Sequence, residues 1–317
     1  MKWMRVRSLA SVLLALVLVA GVAACGSSSK KSSGSTSAPA GQPGKGKPPV
    51  KLGDKNFTEQ YILGDLYKQA LEAKGFTVQL KGNIGSTEIT DKALTTGKID
   101  MYPEYMGVID TVIAGGNEKD RPTSADQAYQ RAKAFEAKRG FAILDRTPFF
   151  NADALAVKPQ FAQKNGLRSI ADLKKLKSFS MAAPPENKTR FEGVIGLHQV
   201  YGLTNLKFKP LAIGLQYKAL DDGQVDSATV FTTDGQLQGG KYTVLTDPKA
   251  VFGYQNVAPV VSKKVLAAEG PAFAQTLNAV SSKLTVEAMR KMNAAVDLEH
   301  QDPAKVADQF LKANGLK

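Results

Sequence analysis

Two short segments of the chain set aromatic rings beside hydrogen-bonding groups: Met101-Tyr102-Pro103-Glu104-Tyr105 and Phe231-Thr232-Thr233-Asp234. Rings with a few oriented polar groups suit the walls of a ligand cleft. Nucleophilic and metal chemistry is poorly provided for. The 317 residues contain one cysteine, Cys25, and two histidines, His198 and His300. A single cysteine excludes an intramolecular disulfide and a cysteine zinc site. Two histidines so far apart argue against a histidine triad or a multi-histidine metal site. The sequence holds no Gly-x-Ser-x-Gly elbow, no zincin histidine pair and no Gly-x-Gly-x-x-Gly after a strand. No cofactor and no metal are expected.

The elements that must position these segments read as α/β, because short apolar runs alternate with helical patterns from Val50 onward. Val50–Leu52 and Phe76–Leu80 read as strands. Between them Leu63, Leu66, Tyr67, Ala70 and Leu71 recur at helical spacing over 58–74, with Gly75 suited to the stop. Ser86 is an expected N-cap for a helix through Thr95. Further strands are expected at 141–144, 154–158, 178–182, 227–231, 242–245 and 257–262, and helices alone over 271–314. An internal echo links the two ring-bearing segments: Ala93-Leu94-Thr95-Thr96-Gly97-Lys98-Ile99-Asp100 recurs as Ala219-Leu220-Asp221-Asp222-Gly223-Gln224-Val225-Asp226. Each copy is a helix end, a glycine stop and a strand start. The echo is either a coincidence at a common junction or the mark of two similarly built lobes delivering strands to a shared cleft, since ligands of open α/β sheets sit beyond the carboxyl ends of strands. The segments after each copy are expected as loops.

The net charge of +13 is unevenly spread. Residues 1–50 carry seven Lys/Arg and no acid, leaving 35 basic against 29 acidic residues, net +6, for the rest. That is mild for the size, and no basic stripe interleaved with aromatics indicates nucleic acid. Lys2, Arg5 and Arg7 ahead of an apolar run over 9–19 read as an export signal over residues 1–24. Val22-Ala23-Ala24-Cys25-Gly26 resembles a bacterial lipobox, with Cys25 as the lipid anchor to the membrane at the extracytoplasmic face. Residues 25–49 are rich in Gly, Ser, Lys and Pro and are expected as a flexible tether. Gly41–Pro48 nearly matches a phosphate loop, but Pro48 stands where Ser or Thr is required, and the segment reads as linker.

Four strings carry a family resemblance: Lys55-Asn56-Phe57-Thr58-Glu59-Gln60-Tyr61-Ile62-Leu63-Gly64, Asp100 to Gly107 (DMYPEYMG), Val230 to Gly235 (VFTTDG) and Asn256 to Val261 (NVAPVV). In this order they resemble the solute-binding lipoproteins of osmoprotectant ABC importers, which take up glycine betaine, choline, carnitine and related quaternary amines. The resemblance runs from about Val50 to the C-terminus. It implies a two-lobed type II periplasmic-binding-protein fold, with lobe 1 at 50–152 and 256–317 and lobe 2 at 153–255. It also implies partners: a quaternary amine or compatible solute, a membrane permease and its ATPase. A trimethylammonium head is a bulky, weakly hydrated cation with no N–H, best held on the faces of several rings. Carried over by position, Tyr105 and Phe231 are box aromatics, Arg190 matches the carboxylate-binding arginine, Gln60 matches a polar cleft residue and Thr232 lies in the cleft-side run. Asp153 is an anionic partner for a cation. Ala154 and Gln255 stand where tyrosines are common, with Tyr254 adjacent to the second. Phe57, Tyr61, Tyr102 and Phe149 are the rings available to compensate.

Plainer readings compete at several positions. Tyr67, Tyr102 and Tyr217 read equally as packing residues, Asp100 and Asp226 as strand caps, and His198 as structural. Arg190 could equally pair with Glu186 or Glu192. At the level of the whole chain, the rivals are the same fold binding another solute class, which Ala154 and Gln255 favour, a lipid-anchored enzyme with a carboxylate pair assembled by folding, and a surface interaction protein.

Overall fold

The structure is a computed structural model that describes residues 41–116 and 120–317. The expected export signal and Cys25 lie outside the described residues. Ten strands form two five-stranded sheets among those residues. The first sheet holds β1 (Val50–Gly53), β2 (Val78–Lys81), β3 (Met101–Tyr105), β4 (Phe141–Ile143) and β10 (Val257–Ser262), in the order β2-β1-β3-β10-β4. The second holds β5 (Asp153–Val157), β6 (Phe179–Ala183), β7 (Leu206–Pro210), β8 (Ser227–Phe231) and β9 (Thr243–Leu245), in the order β7-β6-β8-β5-β9.

The two orders are the same order. In each sheet the first three strands run parallel and the fourth runs antiparallel to both its neighbours. The echo in the sequence falls on equivalent places, leading into β3 and β8. Gly97 (φ +71°) and Gly223 (φ +70°) make the same left-handed turn, open to glycine at little cost. Asp100 Oδ2 then accepts the Lys51 N–H at 2.8 Å, and Asp226 Oδ2 accepts the Ser180 N–H at 2.8 Å. Each aspartate pins its strand to the parallel neighbour. Tyr105 and Phe231 are therefore the last residues of equivalent strands.

Alternation along the strands sends side chains into layers on both sheet faces. In β5, Leu155 and Val157 join one cluster with Phe179, Leu197 and Tyr201, while Ala154 and Ala156 join another with Tyr217, Leu220 and Tyr242. In lobe 1, α1 (Thr58–Ala73) buries Ile62, Leu63, Leu66, Tyr67, Ala70 and Leu71 against the helices Pro271–Lys283 and Pro303–Ala313. The opposite face packs Ile99, Tyr102, Met106 and Ala132. The two connections between sheets, before β5 and before β10, run side by side: Phe150 bridges Asn256, and the Asn151 N–H donates to the Gln255 carbonyl at 3.0 Å.

Three expectations change. Met101–Tyr105 is a strand rather than a loop; its five residues are all buried, between β1 and β10. Leu206–Pro210 is a strand that its polar, lysine-bearing composition concealed, an edge with exposed side chains. The expected tether does not extend to residue 49. Gly44 is buried, donates its N–H to the Lys74 carbonyl at 3.0 Å, and has no room for a side chain against Phe76, so 41–49 lies on lobe 1. Among the described residues no helix is long and apolar enough to cross a membrane, and no group of three or more His, Cys, Asp or Glu is placed to hold a metal ion.

Candidate functional site

The loops that leave β1 and β6 and the last residues of β3 and β8 meet between the lobes and line a partly open cavity of about 60 Å³. Lobe 1 contributes Lys55, Asn56, Phe57, Thr87 and Tyr105; lobe 2 contributes Asp153, Glu186, Asn187, Arg190 and Glu192, with Phe231 closing the wall. Phe57 is stacked on Phe231 across the lobes, with centroids 5.1 Å apart, and on Tyr105 at 6.2 Å. Behind the Phe57–Phe231 stack a second chamber of about 190 Å³ includes Tyr61, Tyr217, Asp234 and Asp297 in its lining.

Beneath the rings lies Glu59, buried in the first turn of α1. It accepts hydrogen bonds from Tyr105 Oη (2.8 Å), Asn151 Nδ2 (3.0 Å), Thr233 Oγ1 (2.6 Å) and Asn293 Nδ2 (3.3 Å). Those donors come from lobe 1, the connection and lobe 2, so one carboxyl ties both halves together. Burial raises its pKa, and the four donors oppose that rise.

Each of the two basic groups in the cavity already has an acidic partner. Lys55 Nζ is buried in a close ion pair with Glu104 and donates to Thr87 Oγ1 at 3.1 Å. It also lies 4.5 Å from the Tyr105 ring centroid and 5.7 Å from that of Phe57, where a ligand cation could sit. Burial pushes the Lys55 ammonium below the usual lysine range, and Glu104 pulls it back. Arg190 donates from Nε and Nη2 to the two oxygens of Glu88, at 3.0 and 2.7 Å, a bidentate bridge from lobe 2 to α2 (Thr87–Thr95) of lobe 1. Its partner is thus Glu88, not Glu186 or Glu192.

The remaining carboxyls have no such partner. Among the described residues no Lys, Arg or His makes an ion pair with Asp153, Glu186 or Glu192. Asp153 accepts only a long bond from Asn187 Nδ2, at 3.3 Å, and desolvation raises its pKa to about 6. Glu192 accepts from Gln255 Nε2 at 2.7 Å; desolvation first, and the charge of Asp153 second, raise its pKa to about 8. Gln255 is aimed by the Val108 N–H, which donates to its Oε1 at 3.1 Å, and by Gly107, where any Cβ would collide with the amide.

Of the residues singled out in the sequence, Tyr105, Phe231, Arg190, Asp153 and Gln255 line the cavity. Gln60 does not: it is fully buried under Tyr105, donating to its Oη at 3.3 Å. Tyr254 turns away, donating from Oη to the Thr123 carbonyl at 2.8 Å, and does not stand in for a ring at 255. Thr232 also faces elsewhere; its Oγ1 accepts the Ala152 N–H at 3.1 Å. Ala154 packs into the lobe 2 core rather than the cavity. Phe57 is in the wall, Tyr61 lines the second chamber, and Tyr102 and Phe149 are fully buried core. Lys55, Glu59, Glu88, Glu104 and Glu192 were missed as site residues. Lys55, Glu59 and Glu104 lie inside the quoted strings, but Lys55 meets Glu104 across 49 residues and Glu59 meets Tyr105 across 46.

A family model for the substrate-binding domain of ABC-type glycine betaine transport systems matches residues 48–313. The chain belongs to this family. It is 34% identical over 279 residues to a glycine-betaine-binding protein of Pseudomonas aeruginosa, covering 84% of this chain and 88% of that one. It is 31% identical over 280 residues to the glycine betaine-binding protein YehZ of Escherichia coli, covering 84% and 91%. A solved structure titled as a glycine betaine/carnitine/choline ABC transporter matches with a TM-score of 0.68 at 25% identity, covering 84% of this chain and 99% of that chain. The two-lobed α/β architecture is that of these periplasmic binding proteins.

Proposed function

We propose that this chain is the extracytoplasmic solute-binding component of an ABC importer and that it takes a quaternary amine or related compatible solute in the inter-lobe cavity. The observation that carries the reading is the meeting of Phe57, Tyr105 and Phe231 from both lobes over a cavity with three unneutralised carboxyls. Ring faces attract a cation that cannot donate a hydrogen bond, each contact contributing about 0.5–2 kcal/mol when desolvated. Asp153, raised only to about 6, is charged at neutral pH and adds a field of the same preference. The names of the relatives, glycine betaine-binding in two cases, support the same class.

The mechanism is closure. The lobes part about the paired connections, the solute enters, and Phe57 and Phe231 come together over it while water leaves the ring faces. The ligand needs only to bind the closed form better than the open one. A membrane permease then recognises the closed form, and an ATPase on the other side drives uptake. This is a carrier role without catalysis. We assign the anchor to lipidated Cys25, supported by the small residues before it and by its being the one cysteine of the chain.

Titration calorimetry of ligand-stripped protein with glycine betaine, choline, carnitine and proline tests the substrate reading. At a hundredfold excess over Kd a binder adds about 2.7 kcal/mol to the folded state, so thermal shift gives an independent readout. Absence of heat and of shift with all four removes the substrate class. Anchoring is tested separately: wild-type protein expressed in a bacterial host partitions with membranes, and Cys25→Ala is released.

A further inference from the structure

The end of the first sheet opposite the cavity carries charges that solute binding does not use. There β1, β2, β3 and β4 begin and the antiparallel β10 ends. Hydrogen bonds stitch the local segments into one surface. The Gly44 N–H donates to the Lys74 carbonyl at 3.0 Å, that of Ser262 to Asp100 at 2.9 Å and that of Lys263 to Gly140 at 3.1 Å, while Lys47 Nζ donates to the Ala268 carbonyl at 2.7 Å. The charged side chains exposed here are lysines: Lys45 and Lys74 on adjoining segments, Lys98 in the turn before β3, Lys138 before β4, and Lys263 and Lys264 after β10. None of them makes an ion pair among the described residues. The acids of the same segments are covered, Asp100 facing Lys51 at 3.6 Å and Glu269 being buried. Lys263 and Lys264 open the helix Lys263–Glu269, an end where the macrodipole disfavours cations. The scaffold does not demand this pattern. Where lobe 1 has Thr95-Thr96-Gly97-Lys98, the equivalent turn of lobe 2 has Asp221-Asp222-Gly223-Gln224, and both aspartates are paired, with Lys241 and Lys218.

We propose that this lysine-bearing end of lobe 1 docks on an anionic lipid surface. The described chain starts on this face, at Gly41, with Gln42 lying against Gly75. Sixteen residue steps separate Cys25 from Gly41, at most about 55 Å when fully extended. On the lipid-anchor reading above, on which the choice of a membrane rests, the face is therefore held within reach of the leaflet. Lysines at an anionic membrane act together, over about one Debye length, about 8 Å at physiological salt. Attraction of that range is lost with distance and with salt, so the face orients an anchored protein and does not retain a released one. Docking by the end opposite the cavity leaves the mouth between the lobes open to solute.

Vesicle cosedimentation at low salt tests this with the chain from Gly26 on, which keeps both sheets and their cores and has neither export signal nor acylation site. Vesicles of one third phosphatidylglycerol in phosphatidylcholine are expected to bind it at least tenfold more tightly than pure phosphatidylcholine, and raised salt is expected to abolish the difference. The variant Lys45→Glu/Lys98→Glu/Lys264→Glu is expected to lose at least tenfold more affinity than Lys164→Glu/Lys177→Glu/Lys207→Glu, which changes the net charge equally on exposed lysines of lobe 2. A smaller preference for phosphatidylglycerol overturns the proposal. So does a smaller gap between the two variants, since net charge rather than this face would then do the binding. Circular dichroism checks the fold of each variant. Glutamine at the same three lobe 1 positions, expected to lose at least threefold, replaces the glutamates if they prevent folding, and an unchanged affinity overturns the proposal. The anchor is judged separately by Cys25→Ala in cells at physiological salt. Its failure leaves the vesicle result standing, and loss of the vesicle preference leaves the anchor standing.

Discussion

The two lobes share one scaffold and divide the chemistry unequally. Strand order, the aspartate that pins the third strand, the left-handed glycine before it and the ring at its end are common to both. The loop after the equivalent strand then diverges. After β1 it carries Lys55 and Phe57, with Lys55 neutralised inside its own lobe by Glu104. After β6 it carries Pro184, Pro185, Glu186 and Asn187, and its carboxyl-bearing neighbours Asp153 and Glu192 stay without a cation. Lobe 1 is electrostatically finished before any ligand arrives, and lobe 2 is not. A duplicated architecture can thus present one half as a rigid aromatic shelf and the other as the half that discriminates charge.

The largest test of this contrast is stability. Breaking the buried Lys55–Glu104 pair with Glu104→Ala strands a buried ammonium and is expected to cost about 3–5 kcal/mol. Asp153→Ala in lobe 2 removes a desolvated carboxyl with no ionic partner, and ligand-free protein is expected to be as stable or more stable. Urea denaturation of both variants without ligand reads the difference. If Asp153→Ala destabilises as much as Glu104→Ala, the contrast between the lobes fails.

The next largest effect sharpens the scaffold half of the comparison. Asp226 accepts from both the backbone N–H and the Oγ of Ser180, whereas Asp100 accepts the Lys51 N–H alone and has a looser contact of 3.6 Å to Lys51 Nζ. Hydrogen bonds to a charged group contribute about 1.5–3 kcal/mol. Asp226→Ala is expected near the top of that range and Asp100→Ala near the bottom, by the same denaturation measurement.

What could be read in the sequence follows from how local each cause is. Helix α1 and the strands at 153–157 and 257–262 announce themselves by periodicity or by unbroken apolar runs, because burial of a local face dictates them. The echo marked Tyr105 and Phe231 as equivalent because both lobes need the same turn. Met101–Tyr105 misled because Pro103 and Glu104 look like loop residues. Pro103 lies in β3 opposite Pro259, and Glu104 is balanced by a lysine 49 residues away. Arg190's partner could not be read either, since Glu88 lies 102 residues back and meets it across the two lobes. Tyr254 and Gln255 show the limit most sharply: adjacent in sequence, they face opposite ways, and only the backbone path decides which one enters the cavity.

Affinity gives a smaller effect and should be even across the lobes. Phe57 and Phe231 face each other, so Phe57→Ala and Phe231→Ala are each expected to weaken the bound quaternary amine about 2- to 30-fold, the range of one desolvated cation–π contact. Calorimetry against the same ligand reads both. If one variant loses binding and the other is unaffected, the solute lies on one lobe alone and the paired-ring cage is wrong.

The smallest effect is the pH dependence of closure. In the closed form the Glu192 carboxyl is raised to about 8 and that of Asp153 to about 6, above the range near 4 expected once water reaches them. The closed form therefore holds protons that the open form releases. By linkage, ligand-free closure is strongest below about pH 4, where both forms are protonated, and weakens as pH rises to about 8. The groups facing this pair are Arg190 and Glu186 on lobe 2, Lys55 and Thr111 on lobe 1 and Gln255 on the connection. Arg190 favours the charged form of both acids and Lys55 that of Asp153, but each cation is paired with Glu88 or Glu104 and desolvation outweighs them. Small-angle scattering of ligand-free protein is expected to show the radius of gyration growing modestly between pH 5 and pH 8.5. Glu192→Gln should flatten the upper part of that rise, and a saturating quaternary cation should reverse it. A radius that shrinks with rising pH would mean that the lobe 2 carboxyls strengthen closure when charged, the opposite of a half that waits for its cation from outside.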